Sequence, residues 1–195
     1  MCLDMDKSGV PIVSFETKPG FYNWLGANHQ QCDGVWLRMY KKASGVPTIN
    51  WEEAIEMAMC FGWIDSLKKS YDEISYIQKF TPRRKRSLWS KKNCQTCERL
   101  IAEGLMRPAG LAQIEAAKTD GRWEAAYDSP KNMTVPEDFV AAIEQYPEAA
   151  AIYKTLSKTN LYAIAFRLRT AKKPETRQRR FEVLLAMLRD GKKIY

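Results

Sequence analysis

The chain has a single histidine, His29, and no apolar run approaching the roughly 20 residues that a membrane-spanning helix needs. One imidazole leaves little room for a hydrolase triad. No repeat and no low-complexity tract is present, and Met1 to Lys7 shows no basic segment leading into an apolar core. No secretory leader is therefore read there, and a cytoplasmic location is expected. Cysteine is scarce and odd in number: Cys2, Cys32, Cys60, Cys94 and Cys97. In a chain too large to need covalent staples, that count points to free thiols in a reducing compartment. Cys94 and Cys97 have the spacing of a redox or zinc pair, but no second pair accompanies them. They are expected to be ordinary helix positions, with no metal and no cofactor.

What is abundant is positive charge, unevenly placed. The net charge is +8, yet residues 68–99 alone hold ten Lys/Arg against three acids, and residues 167–193 repeat that excess. The intervening stretches, 1–67 and 100–166, are each mildly acidic. Two basic regions of this kind suit a phosphate-bearing or other anionic ligand, whereas the plain alternative is a pair of solvated faces.

The periodicities predict an α+β fold: a small mixed β-sheet lobe with two helices over 1–90, followed by an all-helical lobe over 91–195. Val10 to Phe15 reads as a short edge strand, because Pro11 is tolerated only at an edge or a strand start. Lys18 to Gln31 reads as a helix with Pro19 in its first turn. Gly34 to Lys41 alternates, with Val35, Leu37 and Met39 on one face and Trp36, Arg38 and Tyr40 on the other. Asn50 caps a helix that ends at Gly62; strands follow over Trp63 to Lys69 and Ile74 to Thr81. No strand is read beyond Ser90. Helices are expected at about 93–103, 108–118, 136–145, 147–156, 159–170 and 174–190, with Pro108, Pro136, Pro147 and Pro174 at first turns. Gly121 to Val135 is the linker candidate, with Asp128-Ser129-Pro130-Lys131-Asn132 at its centre.

Chemistry concentrates in two neighbouring blocks. Cys60-Phe61-Gly62-Trp63-Ile64-Asp65 is expected to carry Trp63 inward with Asp65 on the same strand face. Phe80-Thr81-Pro82 then leads into Arg83-Arg84-Lys85-Arg86, Trp89 and a helix start at Ser90 or Asn93. Arginine offers a forked donor to phosphate or carboxylate, tryptophan a flat face, and a helix start free N–H groups. The expected ligand-binding set is Lys41, Lys42, Trp63, Asp65, Arg83, Arg84, Trp89, Ser90 and Asn93, forming a cationic, tryptophan-walled recess. No catalytic residues are assigned, and binding is favoured over turnover. Glu52 and Glu56 read as charges near a helix start. The alternatives are a nucleic-acid binder using Arg83 to Arg86, the helix around Arg177, Arg179 and Arg180, and the aromatic residues Trp36, Tyr40 or Tyr76, or an enzyme acting on a small anionic substrate.

Several blocks in fixed order carry a resemblance: Trp36 to Lys42, Cys60 to Asp65, Phe80 to Arg84, Trp89-Ser90, Asp120 to Trp123, Ala126 to Pro130, Ser157 to Asn160 and Thr170 to Arg177. Together they resemble the YdeI/OmpD-associated family of bacterial proteins, from about Trp24 to Lys193, with its C-terminal part at about 136–193. The resemblance implies a poorly characterised protein linked to bacteriocin protection or resistance to cationic antimicrobial peptides, and it implies porin association. It carries no catalytic residues onto this chain. Some members of the family are presumed periplasmic.

Overall fold

Asn50 shows how local sequence sets the N-terminal architecture. Its Oδ1 accepts the Glu53 amide at 2.9 Å while Glu53 Oε2 accepts the Asn50 amide at 3.1 Å, a reciprocal capping box. The helix so started, α2 (Trp51–Cys60), is nearly all buried beyond its first turn and stops at Gly62, whose φ of +74° only glycine adopts without strain. The computed structural model describes residues 4–128 and 132–195. Cys2 and the Ser129 to Lys131 part of the expected linker lie outside them.

Five strands form one mixed sheet: β1 (Asp4–Met5), β2 (Pro11–Val13), β3 (Val35–Tyr40), β4 (Trp63–Ser70) and β5 (Ser75–Pro82), in the order β1-β2-β3-β5-β4. Only β2 and β3 run parallel, joined through helix α1 (Lys18–Asn28); the other pairs are antiparallel. The alternation read from sequence holds. Val35, Leu37 and Met39 are buried opposite Phe80, Gln78 and Tyr76, on the face where Phe21 of α1 meets Phe80 edge-on at 5.6 Å. Trp36, Arg38 and Tyr40 point the other way. There Trp36 is buried beneath Lys69 and Lys79, and its Nε1 donates to Asp6 Oδ2 at 2.7 Å.

The helices beyond residue 90 are α3 (Lys91–Ala102), α4 (Pro108–Thr119), α5 (Glu137–Glu144), α6 (Pro147–Lys154), α7 (Lys158–Arg169) and α8 (Pro174–Arg189). Among the described residues the only β pairing there is an isolated bridge from Ser90 to Tyr127. The division of the chain differs from the one expected at residue 90. One compact unit comprises Met1–Trp89 with Asn93–Ala125, and the other Ser90–Lys92 with Ala126–Tyr195. Nearly all of α3 and the whole of α4 thus belong with the sheet. The reason is close packing by small groups: Arg107 N donates to the Cys60 carbonyl at 3.0 Å, Cys97 Sγ lies 3.8 Å from Met59 Sδ, and Gly110 leaves no room for a Cβ against the backbone of Met59 and Cys60.

The second unit closes around Phe139, Ile143, Ala149, Leu156, Ile164, Leu168, Leu184 and Leu188, drawn from α5 to α8 and the turn after α6. Asn160 is 4% exposed within it, donating to Ser157 Oγ and accepting the amides of Ile194 at 2.9 Å and Tyr195 at 3.1 Å. A buried amide satisfied in this way pins the segment after α8 to the start of α7. Among the described residues, no helix is long and apolar enough to cross a membrane.

Candidate functional site

The segment from Pro82 to Trp89 is built around Arg83, which is 5% exposed. Its amide donates to the Gly62 carbonyl at 2.9 Å, its Nη1 donates to the Leu88 carbonyl at 3.2 Å, and its guanidinium lies 3.6 Å from the centre of the Trp89 ring. Trp89, itself 2% exposed, meets the Trp123 ring at 4.9 Å, and the Lys118 ammonium lies 5.5 Å from the far indole. The stack runs cation, ring, ring, cation. Cation–π attraction strengthens when water is excluded, so burial turns the first pair into an anchor.

Arg122 braces the same loop from the helical side. Its Nε donates to both Asp120 carboxylate oxygens at 2.7 Å and its Nη1 to the Ser87 carbonyl at 3.1 Å. Ser87 in turn closes a tight turn with Arg84, Oγ accepting the Arg84 amide at 3.0 Å and its own amide donating to the Arg84 carbonyl at 2.9 Å. This fixed backbone holds Arg84, Lys85 and Arg86 outward in solvent. Among the described residues, none of these three is in an ion pair. Arg122 and Trp123 were missing from the sequence-derived site. The Asp120-Gly121-Arg122-Trp123 block, another Arg beside a Trp, was the available signal.

The remaining expected site residues separate. Trp63 is 1% exposed and belongs to the core. Asp65 lies opposite Phe80, near the loop, and its Oδ2 accepts Trp51 Nε1 at 3.0 Å. Lys41 and Lys42 do not join the group. Because β3 and β5 are antiparallel, the end of β3 lies beside the start of β5: Lys41 N donates to the Ile74 carbonyl, and Lys41 Nζ donates to the Glu73 carbonyl at 2.8 Å. A strand of that length puts them about 25 Å from Pro82. Ser90 falls in the second unit, paired with Tyr127, while Asn93 lies in the first turn of α3 within the first unit. Nor do the aromatic strand residues form one stacking platform. Trp36 and Tyr40 share a face and are covered by cations, whereas Tyr76 lies on the other face beneath Lys68.

The four described cysteines are free, and three of them are buried. Burial pushes the Cys60 and Cys97 thiols up to about 12 and Cys94 up to about 11, outweighing the lowering influence of the Arg83 guanidinium on Cys94 and Cys97. Protonated thiols of this kind are poor nucleophiles and poor ligands. Alkylation at pH 8 should therefore modify Cys32 in the native protein and reach Cys60, Cys94 and Cys97 only after denaturation. Rapid native labelling of Cys94 or Cys97 would contradict that. All three folded values lie above the ordinary thiol value of 9.0. Their contribution to stability is thus complete below pH 9 and is lost as pH climbs from 9 through about 11 and 12, by up to about 1.4 kcal/mol per pH unit for each thiol. Among the described residues, no cluster of three His, Cys, Asp or Glu side chains could hold a metal ion.

Comparison with known proteins gives two separate matches. Residues 13–113, just over half of the chain, match the family model described as Domain of unknown function (DUF8412). Residues 132–191 match the model described as Bacteriocin-protection, YdeI or OmpD-Associated, a narrower span than the resemblance read from about Trp24 onward. No curated protein and no solved structure matches the chain. The chain belongs to the DUF8412 family through its sheet-bearing half, and it carries a YdeI/OmpD-associated domain in its helical C-terminal part.

Proposed function

We propose that this is a non-catalytic binding protein that captures an anionic ligand on Arg84, Lys85 and Arg86. One observation carries the reading: Arg83 and Arg122 fix the loop from inside, and the three cations that follow Arg83 face water with no ion pair among the described residues. With the backbone already fixed, meeting a phosphate or carboxylate does not require the loop itself to be ordered. Guanidinium and ammonium groups also keep their charge at neutral pH, which suits holding an anion rather than exchanging protons with it.

The C-terminal family is described by bacteriocin protection. A surface of this sign repels a cationic peptide, so in this reading a protective role, including resistance to cationic antimicrobial peptides, runs through the anionic ligand. The test is an Arg84→Ala/Arg86→Ala variant titrated with pyrophosphate, a hexose phosphate and anionic phospholipid vesicles. Charge-assisted hydrogen bonds contribute roughly 1.5–3 kcal/mol each, so the variant should bind at least about tenfold more weakly while its melting temperature stays near that of the wild type. Equal binding by the two proteins would end the proposal.

A further inference from the structure

Helix α7 has a second aromatic face that its own core does not use. Leu161, Ile164 and Leu168 turn toward the hydrophobic cluster of the second unit, whereas Tyr162 and Phe166 open on a cleft of about 530 Å³ completed by Tyr127 and Tyr195. Tyr127 meets Phe166 edge-on at 5.0 Å, and the Tyr162 ring lies 5.8 Å from Phe166 at a shallower angle. The Tyr127, Tyr162 and Phe166 rings are half-buried and Tyr195 is exposed, and the backbone that carries the two outer tyrosines is held in place. The Tyr127 carbonyl accepts the Lys91 amide at 2.9 Å, and the Tyr195 amide donates to the buried Asn160. Burial and the nearby Tyr127 phenol both raise the Tyr162 phenol above its usual range, which keeps the wall neutral at physiological pH.

Arg167 stands at the edge of this cleft and also lines a smaller recess of about 130 Å³ with Arg179 and Arg180. Arg180 Nη1 donates to the Arg167 carbonyl at 2.7 Å, tying the two helices together at that point. Among the described residues, none of the three arginines is in an ion pair. A purely apolar ligand gives no reason for three arginines without acids at one edge, a cation would be repelled by them, and a bare anion would leave the aromatic wall unused. Cleft size falls in the range of small-molecule sites.

We propose that this cleft binds a mononucleotide, with the base against Tyr127, Tyr162 and Phe166 and the phosphate held by Arg167 with Arg179 and Arg180. Aromatic faces accept any base by stacking, and arginine forks match phosphate oxygens. The site shares no residue with the Arg84 to Arg86 loop.

The experiment is calorimetric titration of the full chain with AMP, GMP and UMP, alongside adenosine and inorganic phosphate. The nucleotides should bind, and adenosine and phosphate should each bind at least tenfold more weakly. Arg167→Gln should weaken nucleotide binding at least tenfold, Arg84→Ala/Arg86→Ala should leave it unchanged, and nucleotide should shift the ring-proton resonances of Tyr127 and Tyr162 in the wild type. The ring resonances keep the test decisive if Arg167→Gln folds poorly. Absence of nucleotide binding at millimolar concentration would overturn the proposal, as would unmoved tyrosine resonances or a dependence on Arg84 and Arg86 instead of Arg167.

Discussion

Gly110→Ala should destabilise the protein by about 3 kcal/mol, the upper part of the usual range for overpacking, although Gly→Ala within a helix ordinarily stabilises by about 1 kcal/mol. The sign reverses because of what the methyl group would strike. A Cβ at Gly110 would fall against the Cys60 carbonyl oxygen and 2.8 Å from that of Met59, and neither is a flexible side-chain end. Helices α2 and α4 would have to separate, carrying with them the bond from Arg107 N to the Cys60 carbonyl. Gly26→Ala in α1 is the matched control. Its Cβ would meet only the Phe61 ring, at 3.8 Å, so a gain of up to about 1 kcal/mol is expected there. Urea unfolding of the two variants measures both, and a neutral Gly110→Ala would show that the helices do not approach as closely as described.

The second large effect is expected at Arg83. Losing a hydrogen bond from a charged group removes roughly 1.5–3 kcal/mol, and losing a desolvated cation–π contact about 2 kcal/mol more. Arg83→Ala should therefore lower stability by about 3.5–5 kcal/mol, whereas Arg84→Ala, one residue further along, should change it by less than about 0.5 kcal/mol. Lysine should restore little at position 83, since it lacks the planar face that lies on Trp89 and the fork that reaches the Leu88 carbonyl. Equal unfolding midpoints for Arg83→Ala and Arg84→Ala would refute the anchoring role.

Most of the fold was legible because its elements announce themselves locally. Proline at the first turns of α4, α6 and α8, the capping box at Asn50, the left-handed Gly62 and the strict alternation of β3 all act over a few residues. Strand β1 was missed because two residues have no period. The site was harder to read for a different reason. Alternation tells which face a side chain takes but not which strand lies alongside, so the placement of β5 between β3 and β4, which carries Lys41 and Lys42 away from Pro82, had no sequence signature. Arg83 sat in a run of four cations that reads as a ligand-facing loop or, in the plain alternative, a solvated one. What buries it is Trp89 backed by Trp123, a partner 40 residues later in the chain. The attachment of α3 and α4 to the sheet unit rests on Gly110 and Cys97, small groups that mark close approach without any periodicity.

The two ends of the sheet bear on how the protein behaves when crowded. At one end β1 is only two residues long; at the other, β4 is interrupted by a bulge between Asp65 and Lys68 and carries Lys68 and Lys69 in exposed positions. A neighbouring molecule looking for a flat row of unpaired amides finds a stub on one side and a kinked, positively charged margin on the other. A short strand at one border and a bulged, lysine-bearing strand at the other both disfavour edge-to-edge polymerisation, the usual hazard of an open sheet.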